Sequence, residues 1–421
     1  MKEAAFFSEV NYAPFSNYRV QKRVIKGKII NQVTLFSIGV TFALHFNKSK
    51  KASGMFNLFK KKKEQVKTNT YLPLKVREVV KETEDTVTLY FEQPDPYLEY
   101  SPGQFLTLVM DFDGKEQRRS YSLCTSPFVD SFPAITVKRV PEGLFSNFLN
   151  EKVFPGKTLN VLKPMGSFTT TFHSKNKKHY LMVAGGSGIT PIMGILKSVL
   201  VNEPNSKVTL IYCSRNETQI IFSKVLDELE NENKERLEVH HNLSQPSEAW
   251  EGMKGRLSKS VLSDFVQRAE EEKEFEKAYF VCGPEGIMNQ TTEVLEEMGI
   301  DKSKVHKESF YSSAADKAHD EAVAAGAKGG LTREVKVILE GEEHLVTVAP
   351  DKTILESGLD QDLSMPYSCQ SGLCTACRGK LLEGEVKMDE DAGLSDKEIA
   401  AGYILCCVSR PTSDGVKVTI E

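Results

Sequence analysis

Three cysteines stand in the run Cys369-Gln-Ser-Gly-Leu-Cys374-Thr-Ala-Cys377, and the pair Cys406-Cys407 follows. A C-x4-C-x2-C run with a distant fourth cysteine is a spacing that holds two irons bridged by sulfide. Four thiolates must converge on one small volume, and a tight loop can supply three of them while a remote segment supplies the fourth. Gly372 and Gly379 suit such a loop, because glycine lets backbone amides turn towards the sulfurs. A zinc site is the alternative, but zinc favours two short paired spacings. The chemistry indicated is electron transfer through a 2Fe-2S cluster, and spacing alone leaves Cys406 and Cys407 both open as the fourth ligand.

Upstream, Arg119-Ser-Tyr121-Ser122 offers a guanidinium, a flat aromatic and a hydroxyl within four positions. An arginine can grip a pyrophosphate, a tyrosine can pack on an isoalloxazine ring, and a serine can hydrogen-bond beside its reactive nitrogen. Alone, such a tetrapeptide also describes an exposed edge beside a core tyrosine. Its neighbours favour the flavin reading. Gly143-Leu-Phe-Ser146 opens a short helix whose free amides suit a phosphate, and Gly166-Ser167-Phe168 adds another small-residue turn.

The run Ala184-Gly185-Gly186-Ser187-Gly188-Ile189-Thr190-Pro191 follows an apolar strand and precedes an amphipathic helix, with Pro191 in the first helical turn. That context suits a dinucleotide pyrophosphate. At the end of the next strand, Ser214-Arg215 stands where an acidic residue would recognise the ribose of NAD, so a basic residue favours NADPH, with NADH also possible. Cys282-Gly283-Pro284 closes a later strand at the sheet edge where such folds bind ligands. A buried structural cysteine is the ordinary alternative to a thiol flanking the nicotinamide.

These residues need three kinds of scaffold. Short β-branched and aromatic runs at 74–81, 86–92, 104–111, 119–124, 134–139 and 158–162, bounded by Pro and Gly, predict a small antiparallel barrel. Strands at 179–184, 207–213, 237–241 and 278–281 alternate with helices at 190–201, 219–231, 258–270 and 284–298, which predicts βαβ units on a parallel sheet. Residues 312–330 are small and polar, a linker by composition. The remainder, 331–421, carries two short strands, a brief helix near 353–359, the cysteine loop and a closing strand at 416–420. The expected architecture is therefore multidomain: an antiparallel β-barrel flavin domain (68–174), an α/β parallel-sheet nicotinamide domain (175–311), the linker, and an α+β, β-grasp 2Fe-2S domain (331–421).

A length of 421 residues fits about three domains. Cysteines outside the cluster, Cys124, Cys213 and Cys282, lie in apolar strings, as in a reducing compartment, so a cytoplasmic protein is expected. The net charge of −4 hides an asymmetry: residues 1–67 hold 14 Lys+Arg against 3 Asp+Glu, whereas residues 331–421 hold 9 against 17. An acidic cluster-bearing module can steer towards a basic partner, although a solvated acidic face is the commoner meaning. The basic head lacks interleaved aromatics, which argues against nucleic-acid binding. Residues 29–46 are interrupted by Asn31, Gln32, Thr34, Ser37, Thr41 and His45, so membrane association is not expected. The first 67 residues are read as a basic extension without domain-forming periodicity, disordered or lying ahead of a native start at Met55; intact mass decides between these.

Taken in order, the motifs resemble the ferredoxin–NADP reductase superfamily. The resemblance spans residues 71–421 and is nearest to oxygenase reductases with a C-terminal plant-type ferredoxin, among them those of phenylacetyl-CoA epoxidase and ketosteroid hydroxylase systems. It implies a flavoprotein oxidoreductase passing electrons from NADPH through FAD and a 2Fe-2S cluster to an oxygenase or hydroxylase component. By the same resemblance Arg119, Tyr121 and Ser122 bind flavin, and FAD is favoured over FMN. Gly143 and Ser146 form the pyrophosphate turn. Gly185, Gly186, Gly188, Thr190 and Pro191 bind the nicotinamide nucleotide, Gly283 and Pro284 flank the nicotinamide, and Phe310 lies near the flavin; Ser214 and Arg215, read above from their place after the strand, complete the nucleotide site. Ser122 and Cys282 position the reacting rings. Cys369, Cys374 and Cys377 hold the cluster with Cys407, which is separated from Cys377 by 29 intervening residues. Two other readings remain: a general NAD(P)H:acceptor reductase serving another hydroxylase or desaturase, and a redox-sensing carrier without a dedicated substrate.

Overall fold

The computed structural model describes residues 71–310, 331–367, 370, 372, 375–388, 393, 394 and 396–420, with the backbone of three strands nearer the N-terminus. Those strands, β1 (Tyr18–Ile25), β2 (Lys28–Leu35) and β3 (Thr41–Ala43), pair antiparallel within a unit comprising residues 1–67. The linker 312–330, Cys369 and Cys374 lie outside the described residues. Among the described residues no helix is long and apolar enough to cross a membrane.

Residues 72–161 form six antiparallel strands: β4 (Leu72–Thr83), β5 (Thr86–Phe91), β6 (Phe105–Phe112), β7 (Lys115–Ser122), β8 (Ala134–Lys138) and β9 (Thr158–Val161). Their order is β7-β6-β9-β4-β5-β8. A bridge between Leu123 and Ile135 joins the two ends and closes the barrel. Leu74, Leu89, Phe91, Leu106, Leu108, Ile135 and Val161 fill the interior with no exposed surface. The β6–β7 hairpin turns through Asp113 and Gly114, both at positive φ (55° and 78°), the backbone that a two-residue I′ turn demands. That turn starts β7 at Lys115, four residues earlier than the sequence pattern places it, and the register Leu106↔Tyr121 and Leu108↔Arg119 then sets the flavin motif on the strand. Helix α1 (Leu144–Lys152) follows β8.

The next layer is a six-stranded, wholly parallel sheet built from β10 (Lys178–Gly185), β11 (Lys207–Ser214), β12 (Leu237–Leu243), β13 (Met253–Lys254), β14 (Glu276–Gly283) and β15 (Val305–Ser309), ordered β13-β12-β11-β10-β14-β15. Both faces are covered, so β10, β11 and β14 are buried along almost their whole length. Helices α2 (Ile189–Asn202), α3 (Ser223–Glu232), α4 (Lys259–Glu271) and α5 (Glu285–Glu297) supply those covers. α3 starts later than the hydrophobic pattern predicts. Phe222 takes a left-handed backbone (φ 62°), the Ile221 amide donates to Tyr212 OH of β11 at 3.2 Å, and Ile220, Ile221 and Phe222 go into the core instead of a helical turn.

Barrel and sheet meet through α2. A side chain at Gly194 would put its Cβ 2.9 Å from the Thr125 carbonyl oxygen, so only glycine lets this helix lie so close. Ser198 Oγ bonds Ser126 Oγ at 2.8 Å, and Lys197 Nζ pairs with Asp130 at 3.0 Å.

The C-terminal module is a five-stranded mixed sheet, ordered β17-β16-β22-β18-β20, from β16 (Arg333–Leu339), β17 (Glu342–Val348), β18 (Arg378–Glu383), β20 (Tyr403–Leu405) and β22 (Val416–Ile420). A small ladder pairs β19 (Val386–Met388) with β21 (Ser409–Pro411). Helix α6 (Ile354–Asp360) crosses the sheet and starts with a capping box: Thr353 Oγ1 accepts the Glu356 amide while the Glu356 carboxylate accepts the Thr353 amide. A parallel β16–β22 pair inside antiparallel neighbours, with one crossing helix, is the expected β-grasp arrangement.

Candidate active site and electron path

In an open parallel sheet ligands gather outside the carboxyl ends of the strands, where the order of connection reverses. Here the reversal falls between β10 and β14, and both strands end in glycines. A Cβ on Gly188 would lie 2.8 Å from Gly283 Cα, and one on Gly283 would lie 2.9 Å from the Gly185 amide nitrogen. The Gly185–Gly188 turn and Cys282-Gly283-Pro284 therefore pack backbone against backbone. Gly186 differs: its φ is 52°, and its Cβ position faces open space. Tyr212 OH donates to the Gly186 carbonyl at 3.1 Å, and Thr190 Oγ1 donates to the Ser187 carbonyl at 3.0 Å, so buried groups fix the turn. Pro191 is the third residue of α2, and Gly188 caps that helix without a side-chain acceptor for its first amides. Fixed, close-packed glycines ahead of an uncapped helix fit a dinucleotide pyrophosphate.

Ser122 ends β7, buried, and its Oγ donates to Glu308 Oε2 at 3.3 Å. Glu308 sits on β15 in register with Cys282 on β14. Three side chains from the barrel and from two sheet strands thus converge at the cleft. Burial pushes the Glu308 carboxyl up to about 8, opposed by the Ser122 hydrogen bond. Burial pushes the Cys282 thiol well above its ordinary range, and Glu308 adds to this once it ionises, so Cys282 stays a neutral thiol. Sequence pattern alone gives this glutamate no role, because the strand that carries it is short and only partly buried, with little hydrophobic signal. Phe310 follows this strand and is partly exposed.

Tyr121 packs beside Phe145 of α1, ring centroids 6.2 Å apart. Arg119 is exposed, and its Nη1 donates to the Arg118 carbonyl at 2.7 Å. Gly143 is the N-cap of α1 and supplies no side-chain acceptor, so the first helical amides are open to an anion. Ser146 is buried; its Oγ accepts the Val140 amide at 3.0 Å and donates to the Gly143 carbonyl at 3.3 Å, which shapes the turn. An aromatic shelf, an exposed guanidinium and an uncapped helix start fit a flavin dinucleotide. Arg215 is exposed after β11 and lines a cleft of about 360 Å³ with Lys138, Arg139 and Gln219, while Ser214 is half-buried behind it. The cleft is rich in cations, as a phosphate would require, although Asp85 and Glu142 also line it.

In the C-terminal module Gln370, Gly372 and Thr375 all have positive φ (56°, 79° and 54°), a tight reversal around the cysteine loop. The Cys407 amide donates to Cys377 Sγ at 3.4 Å, and the Gly372 amide donates to Cys407 Sγ at 3.3 Å. Amides aimed at sulfur are what cluster thiolates receive. Cys406 points elsewhere: a Cβ on Gly379 of β18 would lie 3.5 Å from its Sγ, and it is fully buried in the module core. The donor set of Cys377 and Cys407 fits a cluster ligand pair.

The fold and site define a class: a nicotinamide-dependent flavoprotein reductase carrying its own iron–sulfur module. Residues 72–170 match the oxidoreductase FAD-binding domain, 182–293 the oxidoreductase NAD-binding domain, and 337–412 the 2Fe-2S iron-sulfur cluster binding domain. One subunit of 1,2-phenylacetyl-CoA epoxidase from Escherichia coli is 32% identical over 84% of this chain and 98% of its own length. The ferredoxin reductase component of 3-ketosteroid-9-alpha-monooxygenase from Rhodococcus rhodochrous is 36% identical over 82% and 95%. The reductase subunit of glycine betaine monooxygenase from Chromohalobacter salexigens is 31% identical over 85% and 98%. Among solved structures, full-length CYP116B46 from Tepidiphilus thermophilus aligns with TM-score 0.56 and 27% identity, covering 83% of this chain and 41% of that longer one. The chain belongs to the family of FAD- and 2Fe-2S-containing reductase components that these relatives represent. It is a flavoprotein oxidoreductase with binding domains for FAD, a nicotinamide nucleotide and a 2Fe-2S cluster.

Proposed function

We propose that this chain takes electrons from NADPH and delivers them, through FAD and then the cluster, to an oxygenase component, specifically one of the phenylacetyl-CoA epoxidase type. The observation that carries the reading is the meeting of Ser122, Glu308 and Cys282 where the flavin strand reaches the carboxyl ends of the parallel sheet. When bound, the nicotinamide supplies a hydride, the flavin takes two electrons and passes them on singly, and the cluster accepts one at a time. Ser122 sets its hydroxyl oxygen at the flavin edge, able to accept there while its one proton goes to Glu308, and the neutral Cys282 thiol packs beside the nicotinamide without blocking it. Glu308 orients the Ser122 hydroxyl. Arg119, with the amides of α1 beyond Gly143 and the turn shaped by Ser146, holds the flavin pyrophosphate, and Tyr121 stacks on its ring. Gly185, Gly186, Gly188, Thr190 and Pro191 form the nicotinamide dinucleotide cradle. Ser214 and Arg215 favour NADPH, Gly283 and Pro284 border the nicotinamide, and Phe310 shields the flavin. Cys369, Cys374, Cys377 and Cys407 hold the cluster. The buried thiols of Cys124, Cys213 and Cys282 support a reducing, cytoplasmic setting.

Replacing Cys374 by Ser tests the path. Cytochrome c reduction is expected to vanish while NADPH still bleaches the flavin at the native rate. Cytochrome reduction at the native rate would show that electrons leave by another route.

A further inference from the structure

On β7, the residue before the flavin arginine is itself an arginine with another task. Arg118 is 8% exposed, and it alternates away from Arg119 on the strand. Its guanidinium pairs with Glu116, Nη2 to Oε1 at 2.8 Å, and donates to Tyr71 OH at 3.2 Å. Its Cζ then lies 4.0 Å from the ring centroid of Tyr367. Tyr367 belongs to the C-terminal module and stands two residues before Cys369 in the sequence. A cation over an aromatic face is attractive, more so where water is excluded, and the planar guanidinium can lie flat on the ring as an ammonium cannot. Glu116, itself exposed, neutralises the charge, so the buried guanidinium is not an uncompensated ion.

We propose that Arg118 and Tyr367 form the seat that docks the cluster module on the flavin barrel and sets the spacing for flavin-to-cluster electron transfer. The contact joins the residue adjacent to the flavin arginine to a residue two places from a cluster cysteine. Spacing between the donor and acceptor is thereby referred to one side-chain pair. These are positioning residues: they touch neither cofactor. The proposal rests on the electron path given above.

The test compares Tyr367→Leu, Tyr367→Phe and Arg118→Lys in the full chain loaded with FAD and cluster. Stopped-flow absorbance separates flavin reduction by NADPH from reduction of the cluster, and hydrogen exchange of the β7 peptide reports docking without turnover. In Tyr367→Leu, flavin reduction keeps its native rate, cluster reduction slows about tenfold, and β7 exchange rises by a similar factor. Tyr367→Phe behaves as native, because the ring face and not the hydroxyl meets the cation. Arg118→Lys repeats the Leu phenotype without altering the cysteine loop, and so decides the matter should Tyr367→Leu fail to load its cluster. Native cluster reduction and native exchange in Arg118→Lys overturn the seat. A native protein whose cluster is never reduced by the flavin overturns the underlying path instead.

Discussion

Gly188→Ala separates the geometry of the nicotinamide cleft from its chemistry. Gly188 has an ordinary right-handed backbone (φ −61°, ψ −12°), so alanine costs nothing in conformation. The cost is contact. Its Cβ would sit 2.5 Å from the Cys282 carbonyl carbon and 2.8 Å from Gly283 Cα, with the carbonyl oxygen closer still, and none of these atoms can rotate away. To bring the carbonyl carbon alone to the 3.4 Å where ordinary contact begins, the two backbones must part by about 0.9 Å, and the nearer oxygen demands more. Overpacking of that kind lowers stability by about 1–3 kcal/mol. The same displacement moves Cys282 relative to the nucleotide turn, and a misplacement of about 1 Å in a reacting pair costs on the order of 10²-fold in rate. Single-turnover flavin reduction by NADPH should therefore fall by about that factor, while FAD content and the cluster spectrum stay native. Gly299→Ala, in the turn after α5, is the control: it meets open space and loses only about 1 kcal/mol for its left-handed backbone. A Gly188→Ala protein that reduces its flavin at the native rate would refute the close packing as the feature that sets the hydride-transfer geometry.

Two further outcomes follow from the same side chains. Glu308 has an unfolded value near 4.5 and a folded value of about 8. Below the first, both states hold the proton; between them the unfolded chain releases it and the folded chain keeps it, so stability falls as pH rises through that window and levels above it. Denaturant melts of the cofactor-free protein across the window should show this decline, and Glu308→Gln should flatten it; an unchanged slope would mean the carboxyl is not held neutral. At the cluster, Cys406→Ser should retain the visible spectrum and native iron content, whereas Cys407→Ser should lose both. The reverse result would reassign the fourth ligand.

How much of the molecule is legible in the sequence depends on how local each cause is. Glycine turns and cysteine spacings act within a few residues, and so the Gly185–Gly188 turn, the cysteine loop and the three modules can be read from the chain alone. The short sheet-edge strand β15 cannot, because its alternation is weak and its value lies in register with β14: Glu308 matters only because Cys282 stands opposite it and Ser122 arrives from the barrel. Asp113-Gly114 is a local turn signal that outranks the apolar pattern, and it starts β7 where that pattern alone does not. The late start of α3 has a tertiary cause, the Tyr212 hydroxyl of β11 holding the Ile221 amide, which no window of α3 contains. Arg118 shows the same limit most clearly. Beside a nucleotide-binding arginine nothing in the strand sets it apart, and only the approach of Tyr367 from 249 positions further on gives it a task. Cofactor chemistry is written in short strings, while the contacts that set the spacing between cofactors are written across domains.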